Sequence, residues 1–361
     1  MSSTFHSNLQ LSIFGQSHGA AIGMTLDGLP AGQEIDLEQL QAFLARRAPG
    51  KPPWETPRKE ADTPEFLSGL LEGKTCAAPI TAIIRNTNTK GADYENLKDI
   101  PRPGHADFIA QMKHRGAQDV SGGGHFSGRL TAPLCIAGGI CLQLLEKHGI
   151  QIAAHIAAIA GEKDEPIDPI NPDLKRLKAM QEKTFSALDE SAGNAMQKAI
   201  QSAKDAGDSV GGIVECVAVG LPIGLGSHMF DGVENKIARL AFAIPAVKGI
   251  EFGVGFAAAD MHGSQHNDPF YWDGEVVKTR SNHHGGILGG STSGMPLVFS
   301  LAIKPTPSIA KPQESVSLSK KTSETLVIHG RHDPCIVPRA VPCAEAVAAI
   351  ALYDMLLEAD Q

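Results

Sequence analysis

Two histidines stand on loops suited to proton transfer. Phe14-Gly15-Gln16-Ser17-His18-Gly19 puts a Ser-His pair on a tight turn, and Arg102-Pro103-Gly104-His105-Ala106-Asp107 puts a second histidine behind a Pro-Gly turn. Histidine is the natural proton carrier near neutral pH. Neither loop has the spacing of a metal site such as HExxH. A solvated surface histidine is the plain alternative for each. A third polar loop runs Gly330-Arg331-His332-Asp333-Pro334-Cys335, with Val337-Pro338-Arg339 after it. Arg331 and Arg339 have the fork geometry to clamp a carboxylate or phosphate. Asp333 among them would stay ionised and serve as base or orienter. A purely structural Arg–Asp pair fits the same residues.

Three glycine- or proline-rich segments suggest a ligand. Ser281 to Pro296 carries five glycines between Gly285 and Gly294. Each glycine costs about 0.5–1 kcal/mol inside a helix or strand. The expected return is close approach of backbone N–H groups to a flat or phosphorylated ligand; a tight turn between two strands is the alternative. Lys304-Pro305-Thr306-Pro307-Ser308 sets a lysine and two hydroxyls on a proline-stiffened turn, the chemistry of a phosphate cradle. Ser121-Gly122-Gly123-Gly124-His125-Phe126-Ser127-Gly128-Arg129 runs into an apolar helix. It reads as an anion or cofactor seat, with Phe126 to cover a ring and Arg129 to pair an anion, or else as a flexible loop. It is neither GxGxxG nor a Walker A sequence, so a dinucleotide fold and an NTPase are unsupported.

The bulk numbers narrow the class. The chain has 361 residues, 42% hydrophobic and 20% charged, which argues against general disorder. A net charge of -8 argues against nucleic-acid binding. Yet Arg46, Arg47, Lys51, Arg58, Arg102, Arg115, Arg129, Arg280, Lys304, Arg331 and Arg339 lie in or beside Gly/Pro-rich segments, which suits a small anionic ligand. The six cysteines form no CxxC pair and read as small buried hydrophobes in a reducing compartment, with no metal site. Met1 to Leu11 lacks a signal-peptide core, and no apolar run is read as reaching membrane-spanning length. The reading is a cytoplasmic protein with no membrane partner.

These loops need elements to hold them. Leu9–Phe14 and Ala21–Asp27 read as paired strands. Asp36 with Gln39 reads as a capping box opening a helix whose stripe is Leu37, Leu40, Phe43 and Leu44, with Gly50 past its end. Pro79–Arg85 is a strand, and Gly128–Lys147 a central apolar helix. Asn171–Ala206 reads as two surface helices. Gly212–Gly220, Gly249–Phe256 and Met295–Ile303 are strands. Asp231 with Glu234 is expected to cap a helix carrying Ile237, Leu240 and Ala241. Pro342 is expected in the first turn of a last helix running to about Leu357. Strands and helices mix without strict βαβ alternation, so the class is α+β with antiparallel sheets.

Taken together and in order, Phe14–Gly19, Arg46-Arg47-Ala48-Pro49-Gly50, Arg102–Asp107, Gly122–Arg129, Ala246-Val247-Lys248-Gly249, Gly263-Ser264-Gln265, Ser281–Pro296, Lys304–Ile309 and Gly330–Arg339 resemble the chorismate synthase family over nearly the whole chain. The resemblance implies one domain over 1–361 with a β-α-β sandwich, a helical layer between two antiparallel sheets. It also implies a homotetramer, reduced FMN as cofactor, and 1,4-trans elimination of phosphate from 5-enolpyruvylshikimate 3-phosphate. The family's catalytic groups fall on His18, as acid toward the departing phosphate, on His105, beside the flavin, and on Asp333, which assists removal of the C6 proton. Arg47, Arg129 and Arg339 are the implied substrate contacts, with Arg46 beside them. Implied flavin contacts are His125, Phe126, Ser127, Pro245, Ala246, Gly289, Lys304, Pro305, Thr306, Pro307, Ser308 and Arg331.

The chain departs from the family pattern in places. Gln16 stands where glutamate is common, and the glycine-rich loop carries Ser121, His125, Phe126, Gly128 and Leu130 at its variable positions. Two positive charges are lost there. Pro245 stands where asparagine is frequent. Pro53 replaces an arginine that some members use for NADPH, so reduced flavin is expected from an external flavin-reducing system. Two other classes remain open on the residues: a flavin- or anion-binding protein without elimination activity, and a nicotinamide- or metal-dependent lyase.

Overall fold

The computed structural model describes residues 3–50, 61–87, 97–328 and 333–359. In the first part of the chain lie β1 (Thr4–His6), β2 (Gln10–Gly15), β3 (Ala21–Asp27), β4 (Glu65–Ser68), β5 (Leu70–Leu71), β6 (Lys74–Thr75) and β7 (Ile80–Arg85). Five of them form an antiparallel sheet ordered β1-β2-β3-β7-β4, and β5 pairs with β6. The second part contains β8 (Gln151–Ile159), β9 (Glu162–Lys163), β10 (Gly212–Val219), β11 (Val247–Phe252), β12 (Phe270–Asp273), β13 (Val276–Thr279), β14 (Ile287–Leu288), β15 (Ser291–Thr292), β16 (Leu297–Ile303), β17 (Gln313–Ser317) and β18 (Thr322–Leu326). Its sheet is ordered β11-β16-β10-β8-β9, also antiparallel; the other six strands pair as two-stranded hairpins. The helices are α1 (Leu37–Arg47), α2 (Asp107–His114), α3 (Thr131–Lys147), α4 (Leu174–Gln181), α5 (Glu190–Asp205), α6 (Val233–Ala241), α7 (Gly263–His266) and α8 (Val337–Ala359).

The core is organised on α3 and α8. Helix α3 lies against β2, β3 and β7 of the first sheet, α8 lies against β8 and β10 of the second, and the two helices pack on each other. Both are apolar nearly all round, as a helix covered on every side must be. Leu134, Ile136, Ile140, Leu144 and Leu145 of α3 are buried, each such side chain being worth about 1.5–3 kcal/mol on transfer from water. Contact is close enough to need glycine: a Cβ built on Gly138 would lie 2.3 Å from the Cβ of Ala346.

That apolarity overturns one sequence expectation. Gly128–Lys147 and Val337–Ala359 do reach membrane-spanning length and hydropathy, but 89% and 94% of their windows are buried inside the protein. Other differences are local. Asp36 caps α1 through the N–H groups of Glu38 and Gln39, but the Gln39 side chain bonds Glu146 instead of closing the box, and Leu37 faces solvent. Gly232, not Asp231, is the N-cap of α6, and Asp231 ends the short 3-10 turn before it. Strand β11 stops at Phe252, and a 3-10 turn follows over Gly255–Asp260. Helix α8 starts at Val337, so Pro342 lies inside it and removes the donor that the Pro338 carbonyl would have used.

The glycine-rich stretch at 285–294 takes the alternative reading, a turn between two strands. Gly289 and Gly290 link β14 to β15. A Cβ on Gly290 would lie 2.3 Å from the Ser227 carbonyl, and one on Gly285 2.3 Å from the Gly253 nitrogen. The close approach there is backbone to backbone.

Two buried carboxylate networks tie the layers together. Glu345 of α8 pairs with Arg46 of α1 through both oxygens, and its Oε1 also accepts from the Ala154 N–H of β8 at 3.0 Å and from Gln181 at 3.1 Å. His155 of β8 is fully buried between Asp164, 3.0 Å from Nδ1, and Glu215, 2.9 Å from Nε2. Burial lowers the His155 pKa, but hydrogen bonds and charge from Asp164 and Glu215 outweigh it and leave the pKa raised.

A raised histidine pKa gives stability that is fully present below its unfolded value, about 6.5, and lost as pH rises through the folded value. Unfolding midpoints in urea should therefore fall from pH 6 toward pH 9, and His155→Gln should flatten that slope. Gly138→Ala gains about 1 kcal/mol of helix propensity. It should nonetheless lower stability by about 1–3 kcal/mol through forced separation of α3 from α8, read in the same urea titrations.

Candidate active site

A cleft of about 590 Å³ opens above the ends of α3 and α8. Its wall is assembled from the end of α1 (Arg47, Pro49), the loop at 102–106, the glycine run at 122–129, the segment 242–246, the turn at 304–308, and Asp333 to Cys343. No single element contributes enough to be a site alone.

His105 is the best-oriented proton carrier on this wall. Its Nδ1 lies 2.5 Å from Asp107 Oδ1, so Nδ1–H donates, and Nε2, 3.3 Å from the donor Arg102 Nη2, is the acceptor nitrogen. Asp107 is gripped by Arg102, with Nε at 2.7 Å and Nη2 at 2.9 Å. Burial favours the neutral acid, yet the hydrogen bonds from Arg102 and His105 hold the Asp107 carboxyl far below the usual range. Arg102 Nη1 donates to Ser308 Oγ at 3.1 Å, which joins the histidine loop to the turn at 304–308.

Arg47 and Arg129 share one carboxylate. Asp62 Oδ2 accepts from Arg47 Nε at 2.8 Å and from Arg47 Nη2, while Oδ1 accepts from Arg129 Nη1. Burial would raise the Asp62 pKa, and the charges of Arg47 and Arg129 lower it overall. Arg129 reaches Asn86 Oδ1 at 3.3 Å, and Asn86 Nδ2 donates to the carbonyls of Gln16 and Gly19 around His18. Arg339 donates to Asp333 at 2.8 Å and to the Arg47 carbonyl at 3.0 Å.

Lys304 lines the cleft beside Ala246, whose carbonyl accepts the Lys304 N–H. Ala246 has φ of 75°, a left-handed conformation uncommon for alanine. The Lys304 pKa is lowered by burial first and by Lys248 second, the environment of a cation awaiting an anion. Ser308 accepts from Arg102 and keeps its own proton to donate. Thr306 has already spent its proton on the Asp333 carbonyl at 2.9 Å. The phosphate cradle read from the sequence thus reduces to Lys304 and Ser308 as donors.

The structure brings most of the expected residues together. His105, His125, Phe126, Ser127, Arg129, Arg47, Pro245, Ala246, Lys304, Thr306, Pro307, Ser308, Asp333 and Arg339 all line the cleft. His18 stands one layer back: its ring lies against Gly122, where an added Cβ would be 2.1 Å from Cε1. Gly122 also has φ of 59°, so only glycine suits both constraints. His125 is a strap, with Nδ1 2.8 Å from the Gly15 carbonyl and Nε2 2.7 Å from Ser3 Oγ. Pro305 packs on Gly211, and Gly289 sits at the hairpin tip away from the wall. Arg46 faces Glu345. Arg331, Lys51, Pro53 and Arg58 lie outside the described residues. Sequence reasoning missed Asp62 and Asn86. The signal available was indirect: arginines buried this deeply require carboxylates.

Fold and cleft together define an α+β enzyme class with a cationic site for a small polyanion, lined by histidine and aspartate. The comparisons place the chain within that class. The chorismate synthase family model matches residues 9–357. A chorismate synthase of Lancefieldella parvula is 47% identical over 99% of this chain and 96% of its own length. One from Thermococcus kodakarensis is 45% identical over 97% of this chain and 96% of its own. A crystal structure of chorismate synthase superposes with a TM-score of 0.76 at 28% identity, covering 97% of this chain and 92% of the other. The chain belongs to the chorismate synthase family.

Inorganic phosphate is a simple probe of the Lys304 corner. Lys304→Met should weaken its binding on the order of tenfold, since a hydrogen bond to a charged group is worth about 1.5–3 kcal/mol. The rise in melting temperature with added phosphate measures this.

Proposed function

We propose that the cleft carries out the 1,4-trans elimination of phosphate from 5-enolpyruvylshikimate 3-phosphate to give chorismate, the last step of the shikimate pathway, with reduced FMN as cofactor. The observation that carries this reading is the convergence of His105, Asp333, Arg129, Arg339 and Lys304 on one cleft in a member of this family. The C6–H bond breaks and its electron pair forms a double bond between C6 and C1, the C1–C2 double bond shifts to C2–C3, and the C3–O bond breaks to release phosphate. Phosphate leaves more readily when its charge is neutralised, so cations in a cleft shielded from water lower the barrier.

The residues fit the flavin as well. Lys304, depressed in pKa by burial, and Ser308 would hold its phosphate, and Phe126, Ser127, Pro245 and Ala246 would border its ring. When bound, reduced flavin supplies electron density to the breaking C–O bond. The protein supplies the rest. Arg129 and Arg339 bind the substrate's anionic groups. His18, behind Gly122, donates a proton toward the departing phosphate. His105, oriented by Asp107 through Nδ1–H, exchanges a proton at Nε2. Asp333, held by Arg339, assists removal of the C6 proton. Arg47, 1% exposed yet part of the cleft wall, joins Arg129 and Arg339 in holding the substrate's anionic groups. Gly289 and Pro305, which like His18 stand outside the cleft lining, complete the proposed set of flavin contacts.

The wider reading is a single domain over 1–361, in which the paired helices between two sheets form a β-α-β sandwich. We take it to be cytoplasmic and homotetrameric. Phe230, Phe256 and Trp272 are 82%, 85% and 72% exposed, apolar surface that suits burial between copies. Reduced flavin comes from an external system.

An anaerobic assay with the substrate and chemically reduced FMN, following chorismate and phosphate together, tests the function. Equimolar products with prereduced flavin, and none with oxidised FMN plus NADPH, are expected. Products in both mixtures would remove the external reductant from the reading. No product in either, with flavin bound, would make the chain a binding protein.

A further inference from the structure

Asp62 has no role in the elimination described above, yet it bonds two arginines of the cleft wall. It is 1% exposed, with a left-handed backbone at φ 49° that aspartate tolerates better than most side chains. One oxygen takes two donors from Arg47 and the other takes one from Arg129. Each arginine is pinned again at its far edge. Arg47 Nη1 donates to Thr131 Oγ1 at 3.2 Å, and Arg129 Nε donates to Asn86 Oδ1 at 3.3 Å.

Two buried guanidinium groups sharing a site repel each other unless an anion lies between them. Asp62 lies between the two and fixes both groups through its two oxygens. We propose that Asp62 is a positioning residue for substrate binding, holding Arg47 and Arg129 side by side in the cleft wall so that the pair meets a carboxylate or phosphate group of the substrate. Asp62 does not line the cleft, so it acts through the arginines. The substrate's identity here rests on the proposed elimination.

Isothermal calorimetry on the full-length protein, with 5-enolpyruvylshikimate 3-phosphate and oxidised FMN, tests this without turnover. Asp62→Asn should weaken substrate binding by about tenfold or more, leave FMN affinity within about twofold, and be partly rescued by Asp62→Glu. Where Asp62→Asn does not fold, Asn86→Ala, which frees one edge of Arg129, should still weaken substrate binding by about threefold. Unchanged substrate affinity in the folded variant overturns the proposal. So does an equal loss of substrate and flavin affinity, which would mark a merely structural role. Wild-type protein that binds the substrate but forms no chorismate would count against the elimination and not against Asp62.

Discussion

Cations gathered for an anionic ligand must be kept together before that ligand arrives. Unpaired, they would repel, swing into solvent or lose their protons. This protein meets the constraint with carboxylates placed against the arginines: the buried Asp62 under Arg47 and Arg129, the buried Asp107 under Arg102, and the half-buried Asp333 beside Arg339. Lys304 has no such carboxylate among the described residues, and it is the cleft cation whose pKa is lowered. An overall acidic chain can therefore hold a locally basic cleft, because field and ligand meet at the wall and not at the outer surface.

The dry helix pair makes that arrangement rigid. Helix α3 ends the glycine run that carries Arg129, and α8 carries Arg339. Their contact at Gly138 and Ala346 fixes the distance between these two walls. The loops above are rich in glycine and charge, and would pack poorly alone. They are anchored instead by specific bonds, such as His125 to Gly15 and Asn86 to Gln16 and Gly19.

Much of this was legible in the sequence, and the failures have physical reasons. Periodicity found β3 over Ala21–Asp27 and the central helix ending at Lys147, because those signals are local. The same local logic mistook Asp231 for a cap and moved the start of α8 to Pro342. Tertiary packing decided both boundaries. The glycines at 285–294 were read as facing a ligand, but what approaches them is the backbone at Gly253 and Ser227, which sequence spacing cannot reveal. The histidines and arginines of the candidate site stood out by type and loop context. Asp62 did not, since a lone aspartate in a polar stretch shows nothing until the fold places two arginines on it.

Arg46 and Arg47 are neighbours in sequence with opposite duties. Arg46 ties α1 to Glu345 of α8, and Arg47 ties it to Asp62 under the cleft. Successive residues on a helix point about 100° apart, and this angle alone sends one guanidinium to each carboxylate. The end of α1 therefore works as a keyed joint. Substitutions along its outer face leave the key in place, whereas a residue added or removed within the helix would turn both arginines off their partners at once. Length, more than composition, is what this helix is obliged to keep.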